Sequence, residues 1–197
     1  MTSPYFGKPT SEWLAVTERL IAEHPLTETG IVDCCISAWN DIYQSKIGRH
    51  GITIGKDIFV RPQIIGALLH ELIPAEMVAT YPGQWRREEE VDDKDIVYIP
   101  DSKFSIELKT SSNPSKIFGN RSFAQAPSLS KKSKDGYYLT VNFEQTKSAS
   151  TVPEVTIIRF GWLDHTDWIP QKSETGQMAS LGKDTYLYKL KTLYLKR

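Results

Sequence analysis

The period of the apolar positions changes near residue 95. Before it, apolar residues recur at the three- and four-residue intervals of a helix with one buried face. Trp13, Leu14, Leu20 and Ile21 form one such run, with Thr10 or Ser11 placed to cap it. Residues 30–46 form a second, carrying Ile31, Cys34, Cys35, Ala38, Trp39, Ile42 and Tyr43, and Gly48 and Gly51 end it. The third run is Ile64, Ile65, Leu68, Leu69, Leu72 and Ile73. Pro62 stands near its start, where proline is tolerated. Pro74 predicts a kink or a second segment, and Pro82-Gly83 a stop. Residues 52–60 fit a strand or a loop.

After residue 95 the pattern is extended. Residues 95–99 and 104–109 are short β-rich runs, separated by Pro100, Asp101, Ser102 and Lys103, which have turn chemistry. They predict a hairpin. Residues 137–143 and 155–160 predict two more strands, and residues 186–195 a last strand or a helix. A crossover falls near residues 123–133. Helices first and strands after give an α/β (α+β) class, with a central mixed β-sheet flanked by helices.

Length and composition narrow the picture. A chain of 197 residues, 40% hydrophobic and 24% charged, has the make-up of one globular domain. No apolar stretch reaches the length of a membrane span. Residues 1–10 lack the features of a secretory signal, so the expected compartment is the cytoplasm. Cys34 and Cys35 are adjacent in a helical pattern and read as small core residues. The net charge is zero, but its distribution is uneven. Residues 88–95 are strongly acidic. Residues 116–134 hold Lys116, Arg121, Lys131, Lys132 and Lys134 among neutral residues, and residues 183–197 are basic. A basic stretch beside an acidic cluster is compatible with binding nucleic acid through a metal-bearing site.

The candidate chemistry lies in DKDIVYIPDSKFSIELKTSS. Glu107 and Lys109 are two apart on a strand and share a face, while Ile106 and Leu108 face the other way. A carboxylate that holds a divalent cation, beside an amine that stabilises phosphorane charge, is the equipment of a phosphodiesterase. All-oxygen ligands suit Mg²⁺. Asp95 is the candidate second carboxylate, from the neighbouring strand. If Ile99 paired with Phe104, Asp95 would lie opposite Leu108 and face away from Glu107. The site therefore requires a connection of other than four residues, or a bulge. Asp93 shares the parity of Asp95 and is the fallback. Asp101 follows a proline but lies in the turn, at the far end from Glu107. Glu88, Glu89, Glu90, Asp92 and Asp93 read as an exposed loop more readily than as a second metal site.

Asp95, a hairpin and Glu107-Leu108-Lys109 resemble the PD-(D/E)XK signature of type II restriction endonucleases, without a proline before Asp95. In that superfamily a preceding helix often carries a glutamate directed at the metal site, and Glu71 matches its position. Residues 109–112 (KTSS) and 117–125 (IFGNRSFAQ) are similar to a stretch of the ScaI-like restriction enzymes, as are residues 160–168 (FGWLDHTDW) and 175–177 (TGQ). The resemblance implies a restriction-endonuclease-like fold, with residues 1–60 as an N-terminal helical part, 61–145 as the catalytic core and 146–197 completing the sheet. It implies Mg²⁺-dependent cleavage of double-stranded DNA at a short palindromic site, leaving 5′-phosphates. A homodimer and a companion DNA methyltransferase are the expected partners. Asp95 and Glu107 would bind the metal, Lys109 assist the water and the transition state, and Glu71 support them.

Asn120, Arg121, Ser122 and Gln125 are candidate DNA contacts, and Lys131, Lys132 and Lys134 candidate phosphate contacts. Gln125 and Asn142 have the amide geometry that reads adenine, although either can be structural. Asp164, His165 and Asp167 read as a structured loop, with His165 or Asp167 as a lesser DNA-contact candidate. Two rivals stay open: a repair or junction-resolving nuclease of the same superfamily, and a non-catalytic DNA-binding module in which Glu107 and Lys109 form a surface salt bridge.

Overall fold

The structure is a computed structural model that describes residues 2–126, 133–145, 153–173 and 175–196. Three helices come first: α1 (Thr10–Ala22), α2 (Glu28–Gln44) and α3 (Pro62–Thr80). Neither Thr10 nor Ser11 caps α1. Pro9 holds the N-cap position in an extended conformation and both candidates lie inside the helix. At α2 the cap is Thr27, whose side chain accepts from Gly30 N–H. Proline starts α3, and the helix then runs through Pro74 to Thr80 without breaking. Pro74 is buried with Ile73 and Met77, so packing along that face compensates for the hydrogen bond that proline removes. Gly83, at φ 78°, turns the chain beyond the helix. Residues 52–60 form neither a helix nor a strand. Isolated bridges (Ile47 with Ile52, Ile54 with Ile58) and Asp57, which accepts from Thr53 N–H and Oγ1, hold them.

The strands are β1 (Trp85–Arg87), β2 (Ile96–Tyr98), β3 (Ile106–Ser111), β4 (Phe118–Asn120), β5 (Gly136–Phe143), β6 (Val155–Leu163), β7 (Trp168–Pro170), β8 (Met178–Leu181) and β9 (Leu190–Leu195). The principal sheet has the order β1-β2-β3-β5-β6-β9. It is mixed: β3 and β5 run parallel and the other pairs antiparallel. A parallel pair needs a long crossover. Here that crossover contains β4 and a 3₁₀ turn (Arg121–Ala124), and part of it, residues 127–132, lies outside the described residues. The last apolar run divides into a π-helical turn (Thr185–Lys189) followed by β9.

Alternation along β5 separates two cores. Tyr137, Leu139, Val141 and Phe143 join Ile106, Leu108 and the buried residues of α1, α2 and α3, so the described helices pack on one face of the sheet. Tyr138 points the other way, into a second cluster with Ile117, Phe123, Leu163, Trp168, Ala179, Leu181 and Leu190. A small sheet of order β4-β8-β7 supplies much of this second layer. Its three- and four-residue strands carry no period that marks them in the sequence. Both cysteines are free and buried in the first core, as expected.

Candidate active site

The β2–β3 connection is longer than the four-residue turn. Residues 99–105 join the strands, with a 3₁₀ turn at Ser102–Phe104 capped by Asp101, whose side chain accepts from Lys103 N–H. Tyr98 N–H donates to Ser105 Oγ at 3.1 Å. Ile96 consequently pairs with Ile106, not Leu108 with Asp95. This register sets Asp95 opposite Glu107, on the same face, as the site requires. The structure thus brings together Asp95, Glu107 and Lys109.

Asp95 Oδ2 accepts from Leu108 N–H at 2.6 Å, which fixes the carboxylate against β3. Lys109 Nζ donates to Glu107 Oε1 and to the Leu108 carbonyl, both at 2.8 Å, and lies 4.0 Å from Asp95 Oδ2. Glu107 is only 3% exposed, and Lys109 places a positive charge directly beside its carboxylate, as a buried acid requires. The surface salt bridge expected of a non-catalytic module does not match this burial. The Lys109 ammonium stands 4.7 Å from the centre of the Phe123 ring, and Lys134 stands 4.6 Å from the same ring. Phe123 was not a candidate from sequence; its neighbourhood depends on the chain folding back across the sheet. Tyr138, paired with Glu107 across the strands, has its phenol pushed well above the usual range by burial and then by the Glu107 charge. The donor set is two carboxylates, and the described residues hold no cluster of three His, Cys, Asp or Glu side chains. Two carboxylates supply the oxygen donors that suit a hard cation that keeps several waters, and do not make up a closed four-ligand zinc site.

The remaining candidates divide. Glu71 is not gathered into this group. It lies on α3, on the helical side of the sheet, exposed and paired with Arg87 of β1, whereas Glu107 and Lys109 occupy the opposite face. Asp93 is committed elsewhere: it accepts from Arg86 at 2.6 and 3.0 Å and from Glu89 and Glu90 N–H. The Arg86 guanidinium holds its pKa far below the usual carboxylate range. The acidic run is an exposed loop pinned by that contact. Asp101 lies in the turn, paired with Lys103.

Asn120, Ser122 and Gln125 present exposed side chains on β4 and the turn after it. Arg121 donates to the carbonyls of Ser173 and Gly176, at 3.0 and 3.2 Å, and so grips the β7–β8 connection. Lys131 and Lys132 lie outside the described residues. Asn142 is fully buried with its amide engaged inside the protein, which removes it as a reader of bases. Asp164 and Asp167 form a capping box around residues 165–167, and Lys189 lies 2.8 Å from Asp167 Oδ1 in the buried interior. Asp167 is therefore structural, and His165 lies beside Asp135 at 3.4 Å.

A mixed sheet with helices on one face, bearing paired carboxylates and a lysine on adjoining strands, has the restriction-endonuclease-like form. The model of the ScaI restriction endonuclease family matches residues 3–194. Over 181 residues the chain is 49% identical to a protein of Streptomyces caespitosus named Type II restriction enzyme ScaI, an alignment covering 91% of this chain and 79% of that protein. This chain belongs to the ScaI restriction endonuclease family, and it is by that membership an enzyme, a type II site-specific deoxyribonuclease. No solved structure matches it. No helix among the described residues is long and apolar enough to cross a membrane.

Proposed function

We propose that this chain, acting as one nuclease domain in the cytoplasm, hydrolyses both strands of duplex DNA at a short palindromic site with Mg²⁺ and leaves 5′-phosphate ends. The reading is carried by Asp95 standing opposite Glu107 with Lys109 Nζ 2.8 Å from Glu107 Oε1. Asp95 and Glu107 are the residues that would hold Mg²⁺. An ion held by these two carboxylates would supply Lewis-acid chemistry, polarising a phosphate oxygen and lowering the pKa of a water.

The protein's own groups do the positioning. Leu108 N–H orients the Asp95 carboxylate, and burial keeps bulk water from Glu107. Two N–H groups of Lys109 face Glu107 and the Leu108 carbonyl. The ammonium is thereby aimed at the same space as both acids, where it stabilises negative charge growing on the phosphoryl oxygens. Phe123 backs it from the other side. Asn120, Ser122 and Gln125 are exposed on the segment that follows and are the proposed DNA contacts, with Lys131 and Lys132 meeting phosphates. A palindromic target has twofold symmetry, so a homodimer places one such site on each strand. A methyltransferase of the same specificity is the expected companion.

The test is digestion of a long sequenced DNA, such as a phage genome without methylation, with Mg²⁺ and with EDTA, beside a Lys109→Ala variant. Discrete Mg²⁺-dependent fragments, absent with the variant and with ends mapping to one palindrome, are the expected result. A smear with the same dependences would move the protein to the repair nucleases. Absence of cleavage by the unaltered protein would overturn the reading.

A further inference from the structure

Beyond the acids and lysine, the same face of the sheet carries a buried polar network. Asn142 of β5 is 0% exposed. Its Oδ1 accepts from Arg159 of β6 at 3.0 Å. Its Nδ2 donates to the Asn113 carbonyl at 2.8 Å and the Lys116 carbonyl at 3.1 Å. All the hydrogen-bonding directions of the amide nitrogen are thus spent on one turn, residues 113–116. The next residue is held as well. Ile117 N–H donates to the Tyr186 hydroxyl at 2.7 Å, and the Arg159 guanidinium lies 5.3 Å from the Tyr186 ring centre.

Arg159 is 9% exposed, and its guanidinium meets the Asn142 amide oxygen and the Tyr186 ring face. Burial pushes its pKa down. A guanidinium desolvated for one amide oxygen and one ring face costs stability compared with an apolar side chain of similar size. What the cation achieves is orientation. It compels Asn142 to point Oδ1 at β6 and both Nδ2 protons at the turn, since the flipped amide would set N–H against N–H.

The turn so held is the joint between the catalytic strand and the segment after it. β3 ends at Ser111, and β4 begins at Phe118. β4 ends at Asn120, and the chain passes directly to Arg121, Ser122 and Phe123, whose ring lies against Lys109. We propose that Asn142 and Arg159 are positioning residues that fix residues 118–125 relative to the catalytic strand, coupling DNA recognition to the placement of Lys109. The proposal rests on the nuclease reading for its consequence in activity, and on the hydrogen bonds alone for its consequence in structure.

Asn142→Asp separates the two functions of the amide. The new carboxylate keeps Arg159 as a partner, and gains its charge, but cannot donate to the Asn113 and Lys116 carbonyls. The ion pair with Arg159 offsets part of the two lost hydrogen bonds, and the variant is expected to stay folded, read from a single cooperative melt. Its kcat at the cognate site falls by at least about tenfold with little change in KM, because small displacements of a positioned group are costly to rate. Its preference for the cognate site over sites with one base changed narrows. Amide exchange quickens at residues 113–124 while residues 137–141 stay protected. Arg159→Lys, which keeps a cation beside Oδ1, retains more activity than Arg159→Met. Unchanged kcat, discrimination and exchange in a folded Asn142→Asp protein would overturn the proposal, as would faster exchange spread evenly over the sheet. If the unaltered protein cuts no DNA, the nuclease reading fails, and the exchange pattern still decides whether the network holds the turn.

Discussion

Lys109 carries two burdens at once, since it neutralises a carboxylate that is almost entirely buried and is proposed to face the phosphate. Lys109→Ala should therefore lower kcat by about 10²-fold or more. It should also lower the unfolding free energy by roughly 3 kcal/mol, because it removes the ammonium paired at 2.8 Å with a buried carboxylate. Steady-state cleavage and urea unfolding measure the two effects separately. A variant that loses activity with full stability would contradict the buried pair, 2.8 Å apart. Glu71 provides the contrast. Its partner is Arg87, and the side chains are 61% and 52% exposed, so the pair is worth less than about 1 kcal/mol. Glu71→Ala is expected to keep cleavage within about twofold, while Asp95→Ala abolishes it, in parallel assays. The difference between these residues was only half legible in the sequence. Period-two spacing places Glu107 and Lys109 together and requires a particular register for Asp95. Nothing in the helix sequence reveals that Glu71 meets Arg87, because β1 is three residues long and shows no alternation of its own.

Among elements, the long ones were readable and the short ones were not. Helices α1 to α3 and strands β5 and β6 are long enough for their periods to repeat, and each was visible in outline. The sheet β4-β8-β7 is built from three- and four-residue pieces whose order depends on a crossover, so its formation is a tertiary event. The same reason hid Phe123, which reaches Lys109 only because this layer covers the catalytic face. Strand β6 shows how closely the layers meet. A Cβ on Gly161 would stand 1.9 Å from the Lys189 carbonyl oxygen in the π-helical turn. Backbone cannot swing aside as a side-chain tip can. Gly161→Ala should thus displace the Thr185–Lys189 turn and cost about 3 kcal/mol, read as a lower unfolding midpoint in urea. A melt unchanged by the methyl group would show that β6 and this turn are not in such contact.

Over the whole molecule, the first core is closed around a titratable group. His24 lies within ring contact of Trp85, Phe104, Tyr137 and Phe160, with centroids 4.6 to 5.9 Å away. Its Nδ1 accepts from Leu26 N–H and its Nε2 meets the Phe104 carbonyl, a pattern that the neutral ring satisfies completely. Desolvation lowers its pKa from 6.5 to about 4. With the folded value depressed, the unfolded chain takes up the proton first as pH falls. The stabilisation is fully present above pH 6.5 and diminishes toward pH 4, at about 1.4 kcal/mol for each pH unit while only the unfolded chain is protonated. Between pH 6.5 and 5 the loss should be about 2 kcal/mol. In that interval Asp93, Asp101 and Asp164, whose values are lowered, remain ionised in both states and contribute little. His24→Gln, which cannot titrate, should be less stable at neutral pH yet show a shallower dependence of unfolding free energy on pH across the window. Equal slopes in the variant and the unaltered protein would remove His24 as the cause. Because His24 packs on Phe104 and Tyr137, at the closed end of the β2–β3 connection, acid should loosen the hairpin that carries Asp95 before the rest of the sheet. Amide exchange at residues 96–106, followed from pH 6.5 to 5, tests that order.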